Sequence, residues 1–146
     1  MSIRFYRERD PYGFLSNFSP HGFTLEGRFW HTSEHYFQAK KFAGTGHEEV
    51  VRQAPSPAEA KALGRDPSKP LRPDWETVKE DIMREALVAK FTQHPDLRAA
   101  LLATGEEALI EAAPHDAYWG VGDGTGKNRL GALLMQVRSR LRAGSE

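Results

Sequence analysis

Residues 74–93 read DWETVKEDIMREALVAKFTQ. Trp75, Val78, Ile82, Met83, Ala86, Leu87 and Phe91 recur three and four positions apart, so the spacing predicts a long core helix capped by Asp74 and running to about Gln93. Immediately upstream, GRDPSKPLRP at 64–73 carries three prolines and four charged side chains, which forbids helix and predicts a solvent-facing connection. Before it, Ser56-Pro57-Ala58-Glu59 is a capping box with proline at the first helical position, opening a short helix that ends near Gly64. Thr32 or Ser33 caps another helix through about Phe42, with Gly44 as its stop. FTLEGRFW at 23–30 reads as a hairpin turning on Glu26-Gly27, IRFY at 3–6 as a short strand, and YGFLSNF at 12–18 as a loop packed by its own rings. Downstream, a helix from about Pro95 to Ala103 ends at Gly105, and ALIEAA permits a brief strand. From Asn128 onward Leu130, Leu133, Leu134, Val137 and Leu141 return at helical spacing. The expected fold is α+β, a mostly helical domain with a small antiparallel sheet. A boundary at 64–73 would leave two pieces too small for stable cores, so residues 1–146 read as one domain.

Composition narrows the function. Twenty basic residues balance twenty acidic ones, so no whole-chain charge favours duplex nucleic acid or anionic membrane, and any phosphate contact must come from a local cluster. The absence of cysteine excludes disulfides, thiolate zinc sites and a cysteine nucleophile, and suits the reducing cytoplasm. The longest stretch without Asp, Glu, Lys or Arg, residues 11–25, is too short and polar to span a bilayer, and the amino terminus lacks the apolar core of a signal peptide.

Glu34, Gln38 and Lys41 share one face of the predicted helix, with Glu34 and Lys41 about 10 Å apart by helix rise. Glu34 lies in the first turn, where the helix dipole favours its ionised form. Asp116 and Trp119 stand beside a glycine-dense loop that runs into a helix. Gly120 and Gly122 would let backbone amides approach a ligand beside Asn128, with Lys127, Arg129 and the helix amino terminus suited to a phosphate. This is no Walker loop, because Asn128 follows Gly126-Lys127 and Val121 stands where its first glycine belongs. Asn17 and Ser16 can read a base or ribose, or equally satisfy buried turn backbone. Lys69 and Arg72 offer a second phosphate contact or a solvated loop. His31-Thr32-Ser33-Glu34-His35 matches H-x-x-E-H, but His31 falls outside the helix and no third ligand follows, so no metal is expected.

YGFLSNF, TSEHYFQAKKF, SKPLRPDWETVKEDIMREALVAKF, LLATG and DAYWGVGDGTGKNRLGALLMQVR together resemble the YbiA-like, or NADAR, family over nearly the whole chain. The resemblance implies an N-glycosidase without cofactor. Its members cleave a ribose C1′–N bond, some in phosphoribosylamino-pyrimidine intermediates of riboflavin synthesis, others in ADP-ribosylated guanine of nucleic acid. The family's functional glutamate falls on Glu34, its aspartate and tryptophan on Asp116 and Trp119, and its lysine on Lys41. In that chemistry Glu34 would face the developing cation, Asp116 would protonate the departing base, Trp119 would stack on it, and Lys41 could alternatively attack the opened C1′. The clustered carboxy-terminal arginines would supply a groove for nucleic acid under the second reading; the third is a non-catalytic ADP-ribose-binding module.

Overall fold

A computed structural model of the chain describes residues 1–144. The order is β1 (Ser2–Phe5), a 3-10 turn (Gly13–Leu15), β2 (Phe23–Leu25), β3 (Arg28–Trp30), α1 (Ser33–Ala39), a 3-10 turn (Lys40–Phe42), α2 (Gly46–Arg52), α3 (Pro57–Gly64), α4 (Trp75–Gln93), α5 (Pro95–Ala103), β4 (Ala108–Glu111) and α6 (Arg129–Arg142). Caps follow the sequence where a side chain provides one. Thr32 Oγ1 accepts the His35 amide at 3.1 Å, and Ser56 Oγ accepts the Glu59 amide at 3.1 Å. Asp74 does not cap α4; Arg72 engages its carboxylate instead, at 2.6 Å.

The apolar stripe of α4 forms the spine of the core, with Met83, Ala86, Leu87 and Phe91 fully buried and α1, α5 and α6 packed around it. Lys90 lies within that buried stripe. Its Nζ donates to the carbonyls of Phe14 at 2.6 Å and Ser16 at 3.1 Å, and burial without a counter-charge holds the ammonium down to about 7. This tethers the ring-packed loop at 12–18 to the spine.

The expected hairpin is present: β2 and β3 pair antiparallel across Glu26 and Gly27, both at positive φ, which is the twist a two-residue turn requires. The second pair differs. β1 and β4 run parallel, Ser2 opposite Ala108 through Phe5 opposite Glu111. These strands come from opposite ends of the chain, where no turn signal sets direction. Also unforeseen is α2, seven residues whose Thr45 makes no side-chain cap.

α6 is seated directly on β4. A Cβ on Gly131 would lie 2.1 Å from the Leu109 carbonyl and 2.4 Å from the Asn128 side chain, so only glycine allows this approach. Gly131→Ala should therefore lower unfolding free energy by about 1–3 kcal/mol. Gly46→Ala, with nothing within 4 Å of the new Cβ, should leave it unchanged or slightly raised. Denaturant midpoints compare the two, and equal midpoints would contradict this account of the β4–α6 contact.

Candidate active site

Every residue of α1 is buried, including Glu34. The helix start is bolted to the 12–18 loop: the Glu34 amide donates to the Asn17 carbonyl at 3.2 Å, and Ser33 Oγ donates to Asn17 Oδ1 at 2.8 Å. Ser16 Oγ accepts the Phe18 amide at 3.1 Å. Asn17 and Ser16 are thus occupied within the fold and position α1, the second of the two roles open to them in the sequence. Gln38 Nε2 donates to Glu34 Oε2 at 2.7 Å, while Gln38 Oε1 is buried without a partner. Gly64 permits α3 to rest on this amide, since a Cβ there would fall 2.0 Å from Oε1.

Desolvation raises the Glu34 carboxyl above the usual glutamate range, although the Gln38 hydrogen bond and the charges of Lys61, Lys41 and Arg65 act against it. This corrects the expectation from the helix dipole alone, because removal from water outweighs half a charge at a helix end. The raised carboxyl is the stronger base.

Lys41 does not continue α1. The backbone tightens after Ala39, and the Lys41 ammonium donates to the Gly64 carbonyl at 3.3 Å. It nonetheless faces Glu34 electrostatically, and its pKa is lowered by burial, with Arg65 and Lys61 in the same direction and Glu34 opposing. Neighbouring Lys40 turns elsewhere, buried in ion pairs with Glu26 and Glu48. Lys61 and Arg65, from and just after α3, complete a cationic trio with Lys41. Nothing in the sequence but their four-residue spacing beside Gly64 could have pointed to them.

The end of β4 and the loop after it contribute the remaining groups. Asp116 Oδ1 accepts the amides of Tyr118 at 3.0 Å and Trp119 at 2.9 Å, which fixes the turn. Trp119 is half-buried, edge-on to Phe37 of α1 with ring centroids 5.2 Å apart. Glu111, unnoticed in the sequence, faces Asp116, Glu34 and Lys61; burial first, then the two carboxylates, push its carboxyl up to about 7.

The glycine loop spends most of its amides on itself and its neighbours. The amides of Val121, Gly122, Gly124, Gly126, Lys127, Asn128, Arg129 and Leu130 all donate to carbonyls of the same region. Gly120 contributes its carbonyl to the Asn128 amide, at 3.0 Å. Asn128 spends its side chain on β4, accepting from the Glu111 amide and donating to the Leu109 carbonyl, each at 2.9 Å. Lys127 lies over the Tyr118 ring, and Lys69 is exposed in the 64–73 connection. The histidine pattern is likewise structural. Both His35 nitrogens are engaged, by Thr32 Oγ1 at 2.8 Å and the Ala54 carbonyl at 2.9 Å. Among the described residues no group of three His, Asp or Glu could hold a metal ion.

A buried glutamate, a cationic trio and two further carboxylates thus meet between α1, α3 and β4. The NADAR domain model matches residues 4–142. The chain belongs to the NADAR family. It is 54% identical to N-glycosidase YbiA of Escherichia coli (strain K12) over 140 residues, covering 95% of this chain and 88% of the relative. It is 47% identical to N-glycosidase Npun_R5314 of Nostoc punctiforme over 146 residues, 97% of this chain and 94% of the relative. A riboflavin biosynthesis protein of Zea mays, PYRR, is 42% identical over 155 residues, 95% of this chain but 25% of the relative. The solved NMR structure of E. coli YbiA superimposes with TM-score 0.90 at 51% identity, covering 99% of this chain and 88% of that one. This NADAR protein is an enzyme of the N-glycosidase class, a hydrolase.

The carboxylate cluster makes stability depend on pH. An unfolded glutamate titrates near 4.3, whereas Glu111 holds its proton to about 7. The native state therefore binds the extra proton between those values, and stability falls as pH rises through that window. Glu111→Gln, neutral throughout, should gain on the order of 2 kcal/mol relative to wild type between pH 5 and pH 8. Thermal unfolding at both pH values measures it, and a difference independent of pH would contradict the raised titration of this half-buried carboxyl.

Proposed function

We propose that the protein hydrolyses the ribose C1′–N bond of phosphoribosylamino-pyrimidines and releases ribose 5-phosphate. The observation that carries this reading is the buried Glu34 carboxylate facing the cations of Lys41, Lys61 and Arg65. Cleavage develops positive charge at C1′ and O4′, which an adjacent carboxylate stabilises while taking a proton from the attacking water. Lys61 and Arg65 suit the 5′ phosphate, a role the internally bonded glycine loop leaves unfilled. The part of Trp119 left uncovered offers a stacking face for the pyrimidine, and Asp116 keeps that ring in place through the Trp119 amide. The name of the maize relative supports a riboflavin-pathway substrate.

Removal of ADP-ribose from nucleic acid is the less supported reading. Arg129 pairs with Glu80 at 2.8 Å, Arg138 is buried against Thr104 and the Glu107 carbonyl, and Arg142 reaches the Gly105 carbonyl. These three arginines serve the fold and leave Arg140 exposed on α6, less of a basic face than a polynucleotide needs. A cytoplasmic location fits a phosphorylated, water-soluble substrate. Among the described residues no helix is long and apolar enough to cross a membrane.

Glu34→Gln should keep the fold and lose at least about a hundredfold in turnover, as expected when a charge-stabilising group is removed. Ribose 5-phosphate release from the aminopyrimidine compound, against ADP-ribose release from modified DNA, measures both the role and the substrate. Unchanged kcat in the folded variant would remove Glu34 from the mechanism. Lys41, its pKa lowered, is suited to attack an opened C1′ aldehyde as a neutral amine. On this alternative route, in which the Lys41 amine and not water first bonds to C1′, borohydride during turnover traps a sugar adduct on Lys41, located by peptide mass spectrometry, and Lys41→Ala abolishes it. If no adduct forms and Lys41→Ala keeps normal turnover, water attacks C1′ directly.

A further inference from the structure

Breaking a ribosyl C–N bond leaves an electron pair on the departing nitrogen, which departs readily only when it receives a proton. Asp116 Oδ1 accepts two backbone amides, which ties this side chain to the turn. Glu34 is raised by burial, but it accepts from Gln38 and faces three cations, which act against that rise. Glu111 is placed differently. It ends β4 two residues after the fully buried Leu109, so strand alternation places both side chains on one face, with Glu111 half-buried at its end. Its backbone is held on both sides: the N–H donates to Asn128 Oδ1 and the carbonyl accepts from Val121, each at 2.9 Å. Among the described residues its carboxyl has no hydrogen-bond or ion-pair partner. The charged groups facing it are Asp116 from the loop, Glu34 from α1 and Lys61 from α3, two anions against one cation.

We propose that Glu111 is the general acid of this enzyme, entering the cycle protonated and giving its proton to the nitrogen that leaves C1′. The proposal deepens the ribosyl C–N hydrolysis above and rests on it. As the C1′–N bond breaks, its electron pair passes to nitrogen, which takes the Glu111 proton. Water forms the new C1′–O bond and loses a proton to Glu34, and transfer of that proton to Glu111 resets the site. Burial and the two neighbouring carboxylates push Glu111 up to about 7, which lets it hold a proton near neutral pH and still release it. Asp116 then acts as a positioning residue whose charge keeps the proton on Glu111.

The test compares two ribosyl 5-phosphates, one carrying the aminopyrimidine and one carrying 4-nitrophenolate, which departs without a proton. Glu111→Gln should lose at least about a hundredfold in kcat/KM on the first and less than about threefold on the second, and should lose the pH dependence near neutrality. Glu34→Gln should lose activity on both. Equal losses of Glu111→Gln on the two compounds, or no loss on either, would overturn the assignment. Carboxyl carbon-13 NMR of the wild type needs no substrate: a Glu111 signal titrating near neutrality and moving down in Asp116→Asn supports the proposal, whereas titration near about 4 overturns it. The two failures are told apart by the wild type. If it does not turn over the aminopyrimidine compound, the substrate reading falls, and Glu111 is still decided by its titration.

Discussion

The structure depends on burying α1 on all sides although Ser33, Glu34, His35 and Gln38 are polar. Buried polar groups are costly unless they find partners, and here partners come from several directions, with Gln38 Oε1 left without one. Asn17 meets Ser33, Thr32 and the Ala54 carbonyl hold His35, and Gln38 meets Glu34. The loop bearing Asn17 is in turn hung on Lys90 of α4. Spine, loop and α1 are therefore one connected network, and the desolvation that this network tolerates is what makes Glu34 a stronger base.

The two glutamates show how one cluster of charged groups separates two identical side chains. Both lose water, which raises both. Glu34 is then opposed by a hydrogen bond and three cations, whereas Glu111 meets two carboxylates and a single cation. Chemistry that needs one anion and one acid is served by this asymmetry of neighbours, not by residue type. The same cations lie on the α3 side, so a phosphate held there would place the ribose between the glutamates.

Much of the fold was legible because its signals are local. Caps at Thr32 and Ser56, the apolar stripe of 74–93 and the Glu26-Gly27 turn each report on a few adjacent residues. The pairing of β1 with β4 is a long-range fact, and α2 lacks a side-chain cap and an apolar stripe to announce it. At the site, Glu34, Gln38 and Lys41 were legible as neighbours within one short segment. Glu111, Lys61 and Arg65 were not, because they reach Glu34 only through tertiary packing. The glycine loop misleads for a related reason: glycine spacing shows that backbones can approach closely, but not whether a ligand or another strand of the same loop occupies the amides.

The central claim is that the ribosyl group sits between α1, α3 and the end of β4. A crystal structure of Glu34→Gln with ribose 5-phosphate bound tests it most directly. The account predicts the sugar's C1 lying between residues 34 and 111, with the phosphate on Lys61 and Arg65. A sugar phosphate seated instead on the glycine loop beside Lys127, with C1 remote from residue 34, would contradict it.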